Sequence, residues 1–144
     1  MTQTLSITVT LNREGDNLNA TYDIDSGNTT AEKATVDMAG NISLQQVEDS
    51  VNITWTLAGE GSVKFMAIPP GNPSNDNGPF RWSPKNPGNP GQEDGLGWSL
   101  ESRSDDGRSV TVLDTNADSA NPTPFTYALW LTGNKKLDPS IINR

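Results

Sequence analysis

The chain has 144 residues, 18 acidic and 10 basic side chains, a net charge of −8 and 32% hydrophobic residues, which suits one domain spanning 1–144. It contains no cysteine and no histidine, so disulfides, thiolate nucleophiles, Cys-ligated zinc and Ser-His-Asp triads are excluded. The acidic surplus argues against nucleic acid and anionic membrane surfaces, which need clustered Lys and Arg.

The apolar period is 2, the signature of half-buried strands. Leu5, Ile7, Val9 and Leu11 alternate with Thr and Ser, and Leu18, Ala20, Tyr22 and Ile24 repeat the pattern after a turn at 12–17. A shorter run through Ala34, Val36 and Met38 stops at Gly40-Asn41, and one helical turn is expected around Leu44, Gln45, Gln46 and Val47. Val51, Ile53, Trp55 and Leu57 form the next strand. Gly59-Glu60-Gly61 then reads as a hairpin into a strand through Val63, Phe65 and Ala67. Met66 and Ile68, opposite Phe65, suggest that this strand is central and covered on both sides.

From Pro69 to Gly95 the chain is dominated by Pro, Gly and Asn, which supply too few ladder donors for a strand. A long irregular loop over 69–95 is expected, with Phe80, Arg81 and Trp82 as an anchor against the body. Strands follow at Leu96–Ser102, Ser109–Leu113 and Phe125–Thr132, the first two joined by a tight turn at Asp105-Asp106-Gly107-Arg108. A short last strand runs through Ser140, Ile141 and Ile142. The sum is an all-β sandwich of seven to nine strands. The N-terminus alternates and lacks the basic start and apolar run of a secretory signal, so a cytoplasmic location is the expectation.

The candidate sites are few. Asp114, Asn116 and Asp118 occupy positions 1, 3 and 5 of a calcium-type loop, but position 6 is Ser119 and position 12 is Phe125 rather than Gly and Glu. Asx-rich stretches also form ordinary turns. Glu60, Glu93, Asp94 and Glu101 are the carboxylates from which a hydrolase pair could be drawn, and a solvated surface is the plainer reading. Trp55 and Trp130 fall inside regular strands and read as core. Trp82 lies in the irregular segment and Trp98 begins the strand that follows it, and they either stack on a sugar ring or pin the loop to the sheet. The Asn-x-Ser/Thr triplets at Asn19, Asn28, Asn41 and Asn52 carry no signal in so Asn- and Thr-rich a chain.

Val51-Asn52-Ile53-Thr54-Trp55 resembles the central Trp-bearing strand of immunoglobulin-like and cupredoxin-like sandwiches, but the disulfide cysteines and the copper ligands are absent. The ending is more specific. Phe125-Thr126-Tyr127-Ala128-Leu129 and Leu137-Asp138-Pro139-Ser140-Ile141-Ile142-Asn143-Arg144 are similar to the DP-EP family of small bacterial sandwich proteins. That resemblance covers the final 20 residues, 125–144. It implies a bacterial source and an immunoglobulin-like fold, and it supplies no site residue. The expected function is a non-enzymatic binding or self-assembly module without a cofactor. Its expected partners are a second copy of the chain or a carbohydrate, with calcium assistance in the second case. A carboxylate-dependent hydrolase is the further alternative.

Overall fold

Alternation that buries every second side chain needs two faces to bury against each other, and the chain supplies two sheets. The computed structural model describes residues 2–44, 46–47, 50–68, 78–84, 98–114, 124–133, 135–137 and 140–143. Their order is β1 (Gln3–Glu14), β2 (Asn17–Ile24), a 3-10 turn at Ser26–Asn28, β3 (Thr35–Val36), β4 (Ile42–Ser43) and β5 (Val51–Ala58). Then come β6 (Phe80–Pro84), β7 (Trp98–Arg103), β8 (Ser109–Asp114), β9 (Pro124–Leu131), β10 (Lys135–Lys136) and β11 (Ser140–Asn143). Eight of these strands have four residues or more, and the other three are two-residue pairings.

The first sheet is ordered β2-β1-β5-β8-β7. The second is ordered β6-β9-β11-β4-β3, with β10 beside β11 along the same edge of β9. Both sheets are mixed, because β1 runs parallel to β5 and β4 parallel to β11 while the other pairs are antiparallel. The protein is an all-β sandwich. Leu5, Ile7, Val9, Leu11, Val51, Ile53, Trp55, Leu57, Val110 and Val112 make the buried face of the first sheet. Phe80, Phe125, Tyr127, Leu129, Leu131 and Ile142 answer from the second. Each such fully buried side chain contributes about 1.5–3 kcal/mol of transfer free energy. Trp55 joins the layers, its ring 5.3 Å from Phe80 and 5.4 Å from Tyr127.

The middle of the outward face of the first sheet is a patch of hydroxyls: Thr4, Ser6, Thr8 and Thr10 on β1, Thr54 and Thr56 on β5, Ser109 and Thr111 on β8. Thr54 and Thr111 bond across the strands at 2.8 Å, and Thr56 and Ser109 at 3.1 Å. Where β1 runs beyond β2, its edge is closed by the strap 25–31. The Thr29 and Thr30 hydroxyls accept from the Ser6 and Thr4 amides at 3.0 and 2.9 Å, and the Thr30 and Ala31 amides donate to Thr4 O.

Four expectations are corrected. Gly59-Glu60-Gly61 does not close a hairpin; the chain crosses to the second sheet, where Phe65 makes only an isolated bridge to Leu131. Gly59 has φ +72° and lies so close to β1 that a Cβ would sit 2.6 Å from Leu11 O, so the sharp departure there needs glycine. Two arginines hold the crossover. Arg108 donates to the carbonyls of Leu57, Gly59, Glu60 and Val63 at 2.6–3.1 Å, and Arg103 donates twice to Phe65 O at 3.1 Å. Secondly, residues 69–95 are not uniformly irregular, since Phe80–Pro84 is a strand paired to β9. Thirdly, the expected helical turn begins instead as β4, after which Val47 N bonds Leu44 O in a turn. Fourthly, Trp130 is not core. It stands on the outer face of β9 beneath the Arg81 guanidinium, 3.9 Å from the ring centroid, because the inward parity belongs to Tyr127, Leu129 and Leu131. Phe80 buries as the expected anchor.

Candidate functional site

Strand β2 ends the first sheet, so among the described residues one of its edges has no strand beside it. In its pairing with β1, Tyr22 sends its amide away from β1, to Met38 O at 3.1 Å. By the alternation of an antiparallel ladder, Leu18 and Ala20 also direct their N–H and C=O groups outward. No hydrogen bond is made by either residue on that edge among the described residues. Their side chains point toward the second sheet but are only half-buried, whereas Tyr22, on the same face, is buried. Among the described residues the sandwich is therefore open along the first half of β2.

The opening is a groove. One part, of about 300 Å³, lies between Leu18, Asn19, Ala20 and Tyr22 on one side and Ala39, Asn41, Leu137 and Ser140 on the other. It continues past Leu18 and Asn19 into a second part of about 400 Å³, bounded by Asp16, Asn17, Lys135 and Lys136. Both lysines are exposed, and neither makes an ion pair among the described residues.

The wall at Ala39 and Asn41 is a turn closed by its own aspartate. The Asp37 carboxylate accepts from the amides of Ala39 and Asn41 at 3.0 and 2.9 Å and from Asn41 Nδ2 at 2.9 Å. The Asn41 side-chain bond, followed by the backbone amides, holds the Asp37 pKa below the ordinary aspartate value. Gly40, at φ +89°, packs so tightly on Tyr22 that a Cβ would stand 2.9 Å from its ring. Three further bonds fasten the turn to the second sheet: Tyr127 Oη donates to Gly40 O, Ser140 Oγ to Ala39 O at 2.7 Å, and the Ile141 amide to Asn41 Oδ1 at 2.9 Å. Burial drives the Tyr127 phenol pKa far above its ordinary range, so it stays a neutral donor. The amide and hydroxyl groups around the groove thus hold its shape. Met38, 73% exposed, stands on the same turn.

The residues singled out in the sequence do not converge on this groove. Trp82 is on β6, half-buried, packed against the core and stacked on Phe80 at 5.7 Å, with its indole nitrogen buried and without a hydrogen-bond partner among the described residues. Trp98 opens β7 in the other sheet, its backbone opposite Asp114. Asp114 is fully buried at the end of β8, and Asn116 and Asp118 lie outside the described residues. Among the described residues no three Asp or Glu side chains gather where they could hold a metal ion. Glu60 pairs with Arg13 at 3.5 Å, and Glu101 is the residue that the β7–β8 register skips. Glu93 and Asp94 lie outside the described residues. Among the described residues no helix is long and apolar enough to cross a membrane.

Sequence reasoning missed the groove because its walls come from residues 16–22, 39–41, 135–137 and 140, which nothing local links. Two signals were available: an edge-type strand with no Lys or Pro to guard it, and adjacent lysines in an acidic chain. A scan against protein-family models finds no match, and a search of curated proteins finds no relative.

Proposed function

We propose that the protein is a non-enzymatic binding or self-assembly module whose contact surface is the open side of the sandwich along β2. The observation that carries this reading is the groove itself, a trough where Leu18, Ala20 and Leu137 stand among Asn19, Asn41 and Ser140, beside main-chain groups that are unpaired among the described residues. Its polar side chains support the same reading. Asp37, Asn41 and Ser140 spend their hydrogen-bonding capacity on the turn, so they are suited to fixing a shape and not to moving protons. The terminal resemblance, Phe125–Leu129 and Leu137–Arg144, supports membership of the DP-EP family and a bacterial source.

The test is an amide-resolved NMR titration of the whole chain with three unlike probes: short peptides, methyl glycosides, and the protein itself over a concentration series. Shift changes gathered at residues 18–20, 39–41, 137 and 140–141 are expected from at least one probe. Changes confined to other surfaces, or none from any probe, overturn the proposal.

A further inference from the structure

We infer that the Asp106–Gly107 bond is a masked isomerisation site: the folded turn withholds its two reacting groups, and the bond rearranges to isoaspartate only when the crossover after β5 opens. The sequence supplies the reactants. Glycine on the C-terminal side of an aspartate has no Cβ to shield its main-chain nitrogen. In the rearrangement that nitrogen loses its proton and attacks Cγ of the aspartate, water leaves, and a five-membered succinimide forms. Water then opens the ring at either carbonyl. Opening at the original main-chain carbonyl leaves the chain running through the side chain as isoaspartate. The water lost is regained, so the net change is an isomerisation.

The fold engages both reactants. The Gly107 amide donates to Ser104 O at 2.9 Å. Asp106 Oδ1 accepts from the Ser104 hydroxyl at 2.6 Å and from the Arg108 amide at 2.9 Å. Ser104 is itself held, since its hydroxyl accepts from the Ser109 amide and its own amide donates to Ser109 O, both at 3.0 Å. The Ser104 hydroxyl, followed by the Arg108 amide, holds the Asp106 pKa below the ordinary aspartate value, whereas attack is favoured on the neutral acid. Asp106 is exposed, so access to water is not what the site lacks.

The turn is fastened to the crossover, which ties its opening to a larger one. Gly107 O receives the Phe65 amide and Arg108 O the Leu57 amide, each at 2.8 Å. The Arg108 guanidinium holds the four carbonyls of Leu57, Gly59, Glu60 and Val63. A Cβ at Gly107 would collide with the Arg103 guanidinium and meet Lys64 Cβ at 3.0 Å. Freeing the Gly107 amide therefore means parting the turn from residues 57–65. Isoaspartate adds a methylene to the main chain beside Gly107, so the rearranged turn no longer presents Gly107 O to the Phe65 amide as the parent does.

The experiment holds the full chain at neutral pH without guanidinium, in guanidinium below the unfolding transition, and unfolded. Peptide mapping by mass spectrometry reads isoaspartate at 106 apart from any at Asn77–Gly78 and Asp94–Gly95, the other such pairs in the chain. The unfolded chain is expected to accumulate it at least about tenfold faster than the folded chain. The folded rate is expected to climb with guanidinium below the transition, because the opening exposes surface. Ser104→Ala should raise the folded rate severalfold and leave the unfolded rate unchanged. Arg108→Ala, which keeps the amide that bonds Asp106, should also raise the folded rate. Equal rates in the folded and unfolded chain, or no isoaspartate at 106 in either, overturn the masked site. A folded rate indifferent to guanidinium overturns the link to the crossover, and that measurement stands whether or not the Arg108 variant folds.

Discussion

Arg108 shows how much one side chain can fix. Its guanidinium gathers four carbonyl oxygens from the crossover, and its own carbonyl receives the Leu57 amide at 2.8 Å. The planar fork reaches several acceptors at once, which an ammonium cannot reproduce. Arg108→Ala is expected to lower stability by roughly 2–3 kcal/mol, since it leaves several carbonyls without their donor. Arg108→Lys should recover less than half of that. Urea denaturation with an unchanged slope measures both; a lysine variant as stable as the parent would show that only the charge matters. Trp55 and Trp130 teach a second lesson at this scale. Both are tryptophans in β-strands, yet one is fully buried and the other carries a cation on its outer face. The difference was present in the sequence as parity, because Trp130 shares a row with Thr126 and Ala128 while Tyr127, Leu129 and Leu131 form the heavier one. A residue-by-residue view of hydrophobicity conceals it.

Among the elements, the Asp37–Asn41 turn is the piece on which the groove depends. Its aspartate is stabilised as the anion by Asn41 and the neighbouring amides, and Asp106 is stabilised likewise by the Ser104 hydroxyl and the Arg108 amide. Both pKa values are lowered in the folded chain, so the sign follows directly: the stabilisation is complete above the ordinary aspartate value of 3.8 and is lost as pH falls through the lower folded values. The melting temperature is therefore expected to fall on acidification below that value. Asp37→Asn should lower it at neutral pH and make the acid-side fall shallower. A parallel offset at every pH would remove Asp37 from the acid response.

Elements whose period and burial agree, β1, β2, β5, β8 and β9, were legible because alternation dictates both face and strand. Strand β6 was not. Its Phe80-Arg81-Trp82 alternation sits within a stretch rich in Pro, Gly and Asn, and pairing with a distant strand outweighs that local composition. The crossover after β5 was missed for the opposite reason. A glycine-rich link between two apolar alternations looks like a hairpin, and only the distant Arg103 and Arg108 redirect it.

For the whole molecule, connectivity governs assembly. The parallel pair β4–β11 sets Ile42 against Ile142, and β1–β5 sets Ile7 against Trp55. Such contacts close long loops before any nearby contact offsets the entropy. Refolding followed by tryptophan fluorescence is expected on the order of milliseconds to seconds, the range of sandwiches with remote pairings. Refolding complete within tens of microseconds would show that local structure leads.

The hydroxyl rows on the outside of the first sheet bear on how the molecule meets its surroundings. Threonines that bond one another, as Thr54 and Thr111 do, spend part of their hydroxyls' hydrogen-bonding capacity across the strands rather than on water. From Thr4 to Thr10 on β1, at Thr54 and Thr56 on β5 and at Ser109 and Thr111 on β8, the outward rows carry no formal charge, whereas Glu14 at the end of β1 and Asp23 on β2 bring carboxylates to the edge of the same face. Electrostatic repulsion between molecules is consequently weakest over that central hydroxyl patch. The outer face of the first sheet thus has a neutral middle and an acidic β2 edge.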